Sequence, residues 1–137
     1  MALGEIGSID AVPTLLQLLQ DQDVNVRRLT AMALGDIGSV DAVPALIRVL
    51  QDQDVRVRIS VIEGLEKIGK DAVSDLVLAM QNNSQYIRDG VVEALKRIGK
   101  DAVPALIEAL QDQNTDVRVQ TVKTLKKIGK DLSLIHI

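Results

Sequence analysis

The 137-residue chain contains no cysteine, no tryptophan and no phenylalanine; Tyr86 is its only aromatic residue and His136 its only histidine. Without cysteine there is no disulfide framework, thiolate zinc site or thiol nucleophile. A single histidine excludes a histidine-rich metal site and any Ser-His-Asp machinery away from position 136. With one ring in the whole chain, the interior must be filled by aliphatic and small residues, which favours closely packed helices over a sandwich or barrel. The net charge of −3, from 16 basic and 19 acidic side chains, gives no overall basic field for nucleic acid or anionic lipid. No apolar run approaches the 18 or so residues of a membrane span, and no basic n-region followed by an apolar h-region opens the chain.

What is present is repetition. DAVPTLLQLLQDQD begins at Asp10, DAVPALIRVLQDQD at Asp41, DAVSDLVLAMQNNS at Asp71 and DAVPALIEALQDQN at Asp101. Each unit continues through a Val-Arg or Ile-Arg pair to a Leu-x-x-Ile-Gly ending: Leu34–Gly38, Leu65–Gly69, Leu95–Gly99 and Leu125–Gly129. Repeat units at 10–40, 41–70, 71–100 and 101–130 follow, preceded by a partial one over 1–9.

Each unit reads as two helices. Asp10, Asp41, Asp71 and Asp101 are candidate N-caps of the first, and Pro13, Pro44 and Pro104 fall in its first turn, where a missing N–H costs little. Val43, Leu46, Ile47 and Leu50 have the i, i+3, i+4, i+7 spacing of a buried face. Asp23, Asp54, Ser84 and Asn114 are candidate caps of the second helix, whose buried stripe in the first unit is Val26, Thr30, Ala33, Leu34 and Ile37. Gly38, Gly69, Gly99 and Gly129 stand where a left-handed C-cap belongs. One hairpin cannot bury both apolar faces alone, so neighbours must stack.

The pattern AVPxLxxxLQDxDxxVRxxxxxALxxIG, as in Ala42–Gly69, resembles HEAT repeats, in particular the short HEAT-like class named after phycobilisome lyases. The resemblance implies an all-α fold, a right-handed α-solenoid of about four helical hairpins. It also implies a scaffold for another protein, with a phycobilin lyase-like chromophore-handling subunit as the alternative. In such repeats a turn Asp and an Arg early in the second helix form a ladder between neighbours; here that assigns Arg27, Arg58, Arg88 and Arg118, with Asp21, Asp52 and Asp112 as partners and Asn82 departing from the pattern.

The resemblance further implies that second helices line a concave surface. Opposite the buried stripe, the columns are Asn25/Arg56/Tyr86/Asp116, Arg28/Ile59/Asp89/Val119, Met32/Glu63/Glu93/Lys123 and Asp36/Lys67/Arg97/Lys127. They change chemical type from unit to unit while the packing columns hardly vary, which makes them the candidate partner-binding positions. Tyr86 is a candidate anchor, although a lone exposed ring also serves simply to cover its neighbours. Unit three diverges most, with Ser74 in place of Pro, Asn82-Asn83-Ser84 in the turn and Gly90 inside a helix, read as drift rather than a ligand-shaped notch.

Lys96, Arg97, Lys100, Lys126, Lys127 and Lys130 cluster where two second helices are expected to end. Basic residues there complement the helix macrodipole, a reading preferred over attraction of an acidic partner. No paired His-Glu motif, basic aromatic groove or Gly-rich phosphate loop appears, so the expectation is non-enzymatic, without cofactor, metal, nucleic acid or membrane. Met1–Ser8 aligns with Met32–Ser39, and Leu132–Ile137 reads as the translation of a transposon mosaic-end adapter. The expectation is therefore a fragment with a non-native tail over 131–137, His136 included. Uncapped terminal repeats then favour end-to-end self-association, and the default location is cytoplasmic.

Overall fold

The computed structural model describes residues 9–135, with side chains over 9–131. It forms two compact units, Met1–Ile68 and Gly69–Ile137. The described residues are helical and contain no strand, and the fold is an all-α solenoid of helical hairpins. The first unit holds α1 (Val12–Leu18), α2 (Val24–Ile37), α3 (Val43–Val49) and α4 (Val55–Ile68). The second holds α5 (Val73–Leu78), α6 (Gln85–Ile98), α7 (Val103–Ala109) and α8 (Thr115–Ile135). Short first helices therefore alternate with long second helices.

The turn inside each hairpin is built by two side-chain acceptors in series. In the first, the Asp21 carboxylate accepts from the Asp23 N–H at 2.9 Å, and Asp23 then caps α2 by accepting from the N–H groups of Asn25 and Val26. Asp52 and Asp54, Asn82 and Ser84, and Asp112 and Asn114 repeat the arrangement. Only an oxygen acceptor is needed at the first of these positions, so the Asn82 amide does what a carboxylate does elsewhere.

The first helices start differently from the sequence expectation. Ala11, Ala42, Ala72 and Ala102 occupy the N-cap positions, in helical backbone and without a side-chain cap. Asp41, Asp71 and Asp101 lie one residue earlier, inside 3-10 turns at Val40–Ala42, Gly69–Ala72 and Gly99–Ala102. The chain is already wound when it reaches the aspartate, and the nearby prolines remove one donor that a cap would serve. What these carboxylates retain is a favourable position near helix N-termini.

Gly38 closes α2 in the left-handed conformation at φ 75°, ψ 31°. Gly99 has φ 73° but ψ −125°, a different conformation that still requires glycine. Gly129 departs altogether: it lies inside α8, which continues to Ile135. At the three true stops an Ala-Val pair follows, and Ala42, Ala72 and Ala102 are fully buried, anchoring the chain after its turn. After Gly129 the sequence is Lys-Asp-Leu-Ser-Leu-Ile, with neither that pair nor a proline, and the helix propagates.

In the first unit α2 packs against both α1 and α4, so its buried surface is wider than one stripe: Ala31 and Gly35 are buried with Thr30 and Leu34, while Val26, Ala33 and Ile37 are only half-buried. A Cβ on Gly35 would stand 2.5 Å from the Gly64 Cα, so the α2 and α4 backbones touch. In the second unit Met80, Ile87, Val91, Leu95, Leu106 and Val117 form the interior. The Thr121 hydroxyl is buried there and donates to the Val117 carbonyl at 2.6 Å. Gly90 is buried in α6 and is a packing position, not a notch on an exposed surface. The rings are absent from this interior, as the composition requires: Tyr86 is 60% exposed.

Candidate functional site

Each second helix presents its candidate columns to solvent. In the first unit Arg28 and Met32 are half-buried and Asp36 is exposed on α2; Arg56, Ile59 and Lys67 are exposed and Glu63 is half-buried on α4. The fourth position of each helix meets its neighbour: Lys67 Nζ donates to Asp36 Oδ1 at 2.5 Å, and that carboxylate raises the lysine pKa above its usual value. Arg56 turns back onto its own N-cap, with Nη2 2.8 Å from Asp54 Oδ2. That bond, reinforced by the Arg56 backbone N–H, holds the Asp54 pKa at about 2. Arg28 donates from Nη2 to Asn25 Oδ1 at 3.2 Å, while its Nε is buried without a partner.

In the second unit Tyr86, Asp89 and Arg97 are exposed and Glu93 half-buried on α6, while Val119, Lys123 and Lys127 are exposed on α8. Asp89 accepts from Gln85 Nε2 at 2.7 Å, and Glu93 is shared by Lys96 at 3.9 Å and Arg97 at 3.3 Å. A cleft beside Gly99 is lined by Lys96, Arg97, Ile98, Lys100, Asp101, Ile128 and Asp131. The sequence signals its charge through the lysine cluster, but not its shape, which depends on the turn at Gly99.

The arginine column faces the turns. Arg27 Nη1 donates to the backbone carbonyls of Asp21 and Gln22, at 2.8 and 3.1 Å, and the rest of its guanidinium reaches Asp52 of the following hairpin, with Nε 2.8 Å from Oδ2. Arg58, Arg88 and Arg118 likewise bind the carbonyls of Asp52, Asn82 and Asp112. The shared contact is thus with each turn's own backbone, whereas Asp21 gives Arg27 its carbonyl and spends its carboxylate on the Asx turn.

Sequence reasoning missed the Gly35–Gly64 contact, because Gly35 recurs in its column only at Gly4 and Gly64 not at all, so each resembles an ordinary small-residue substitution. Among the described residues no three His, Cys, Asp or Glu side chains are grouped to hold a metal, and no helix is long and apolar enough to cross a membrane. His136 and most of the expected partial repeat at 1–9 lie outside the described residues, as do the side chains of the expected tail beyond Asp131.

The family model for HEAT repeats matches residues 1–66 and 73–136, and the chain belongs to this family. No curated protein matches it. Among solved structures it is similar to the complex of CpcE and CpcF of phycocyanin lyase from Nostoc sp. PCC7120, at 25% identity and a TM-score of 0.52, covering 92% of this chain and 55% of that one. An engineered protein is similar at 22% identity and a TM-score of 0.46, over 89% of this chain and 64% of that one. A designed armadillo repeat protein in complex with the peptide (KR)4 is similar at 16% identity and a TM-score of 0.37, over 95% and 76%. The chain thus spans between about half and two thirds of the first two structures it matches. The repeats are of the short class found in phycobilisome lyases, and the HEAT fold is typical of protein-interaction scaffolds.

Proposed function

We propose that this protein is a non-enzymatic scaffold that binds another protein on the face formed by its second helices, the side that lines the concave surface in HEAT-like arrays. The observation that carries this reading is a division of labour along those helices. Leu34, Leu65 and Leu95 are identical and fully buried, whereas the outward positions Arg28, Ile59, Asp89 and Val119 share a register and nothing else. Packing dictates the first set and leaves the second free for a partner. Ile59 and Tyr86 add apolar surface of the kind that anchors interfaces.

The test is site-specific photocrosslinking in extract of the source cells. A crosslinker at Ile59, Tyr86 or Val119 is expected to capture a defined partner that the same group at Leu78, exposed on the first helix α5, does not. Capture from Leu78 alone would refute the assignment of the face.

The similarity to a phycocyanin lyase complex supports one other reading, a subunit of a chromophore-handling complex. Co-expression with a bilin separates the two: a chromophore-handling subunit yields coloured protein with shifted absorption, a scaffold of the first kind does not.

A further inference from the structure

Helix α8 carries Lys123, Lys126, Lys127 and Lys130 at i, i+3, i+4 and i+7, all exposed. At 100° per residue they occupy about 100° of the helix circumference, along roughly 10 Å of axis. The helix macrodipole does not account for all of them: α8 continues through Gly129, so Lys123 lies more than one turn before its end, and the dipole acts only within the last turn. The spacing instead creates like-charge i, i+4 pairs, Lys123 with Lys127 and Lys126 with Lys130, which destabilise a helix by a few tenths of a kcal/mol each.

No carboxylate among the described residues lies within ion-pair distance of any of the four, and Glu93 is already shared by Lys96 and Arg97. The first unit shows how the register is ordinarily neutralised: Asp36 and Lys67 pair across neighbouring helices. At the same register in the second unit stand Arg97 and Lys127, both cationic. The cleft beside Gly99, lined by Lys96, Lys100 and the apolar Ile128, is a separate feature that none of the four lysines lines. Asp116 and Asp131 flank the stripe on α8.

We infer that the lysine face of α8 is the docking surface for a carboxylate-rich segment of a partner protein. This deepens the proposed scaffold role and rests on it. Charge complementarity selects the occupant. The flanking aspartates and the short reach of the stripe suit a few carboxylates in sequence rather than a continuous phosphate backbone, and the face offers no aromatic ring for base stacking.

The test uses the full chain and a fluorescein-labelled octaglutamate peptide, followed by fluorescence polarisation. Saturable binding is expected that weakens about fivefold or more between 50 and 150 mM NaCl, as exposed charge pairs require. The quadruple variant K123E/K126E/K127E/K130E should weaken it at least about tenfold, while R48E/K70E, placed on exposed residues elsewhere, should leave it unchanged. The quadruple Lys→Gln variant removes like-charge repulsion, so helix content by circular dichroism should hold and its loss of binding can be read directly.

Equal binding by the quadruple variants, no saturable binding, or equal competition by a thymidine oligonucleotide or phosphatidylserine vesicles would overturn the inference. A crosslinked partner lacking any acidic segment would overturn it too, while leaving the scaffold reading intact.

Discussion

Arg27 and Asp52, 25 residues apart in sequence, form a two-bond ion pair that joins α2 to the turn before α4, with Nε–Oδ2 at 2.8 Å and Nη2–Oδ1 at 3.3 Å. Both side chains are largely shielded, 16% and 12% exposed. Asp52 has a second task, since its Oδ1 also accepts from the Asp54 N–H at 2.9 Å. The two tasks are separable. Asp52→Asn keeps an acceptor for the turn, as Asn82 does naturally, and loses the charge; it is expected to cost about 1–2 kcal/mol. Asp52→Ala loses both and leaves the Arg27 charge half-buried, at about 3 kcal/mol. Urea unfolding should rank them in that order, and equal losses would mean that the turn bond is of no consequence.

Two glycine-to-alanine substitutions should have opposite signs. At Gly35 the new methyl would lie 2.5 Å from the Gly64 Cα and 2.9 Å from its carbonyl oxygen, both backbone atoms that cannot swing aside. The α2–α4 spacing must open, at about 1–3 kcal/mol. At Gly129, inside α8, a methyl would meet no atom of the described residues within 4 Å outside its own helix backbone, and alanine should stabilise by about 0.5–1 kcal/mol. Thermal unfolding of the two variants checks both signs, and a destabilised Gly129→Ala would show that α8 breaks at that residue in solution.

The same glycines show what was readable in the sequence. Gly38, Gly69 and Gly129 sit in identical Leu-x-x-Ile-Gly contexts, yet the first two have positive φ and the third is helical. The stop is decided by the residues after the glycine, the Ala-Val pair that buries itself in the next hairpin, and a local motif does not carry that information. The caps of the second helices were legible because an Asx or Ser acceptor acts within three residues. The first-helix caps were misplaced by one position because a 3-10 turn has no distinct composition. Among the surface positions, exposure followed from helical periodicity, while pairings such as Asp36 with Lys67 depend on how far apart α2 and α4 lie, which the Gly35–Gly64 contact determines.

The Asp54 cap predicts an acid-sensitive step. Its folded pKa of about 2 lies below the ordinary aspartate value, so its contribution is fully present above about pH 4 and is lost as the pH falls towards 2. The Lys67 shift has the opposite sense: raised by Asp36, it contributes below the lysine's ordinary pKa and is lost as the pH rises through its higher folded value. Stability measured against pH should therefore lose part of its fall between pH 4 and 2 in Asp54→Asn. An unchanged acid limb in Asp54→Asn would mean that the Arg56 bond does not persist in solution.

The last described hairpin makes the remaining prediction. Val92 on α6 is 5% exposed, while Val122, one repeat later at the same register on α8, is 56% exposed. Ile107 on α7 is exposed to the same extent, whereas its counterpart Ile47 is buried. Ile107 and Val122 thus give this hairpin exposed apolar surface, which invites contact with a second copy. Sedimentation velocity across a concentration series should show concentration-dependent association in the parent chain. Ile107→Glu combined with Val122→Glu should shift the population to monomer without loss of helix, since neither side chain belongs to the interior. A parent chain that stays monomeric at high concentration would refute this association, and association unaffected by the double substitution would place the contact on another face.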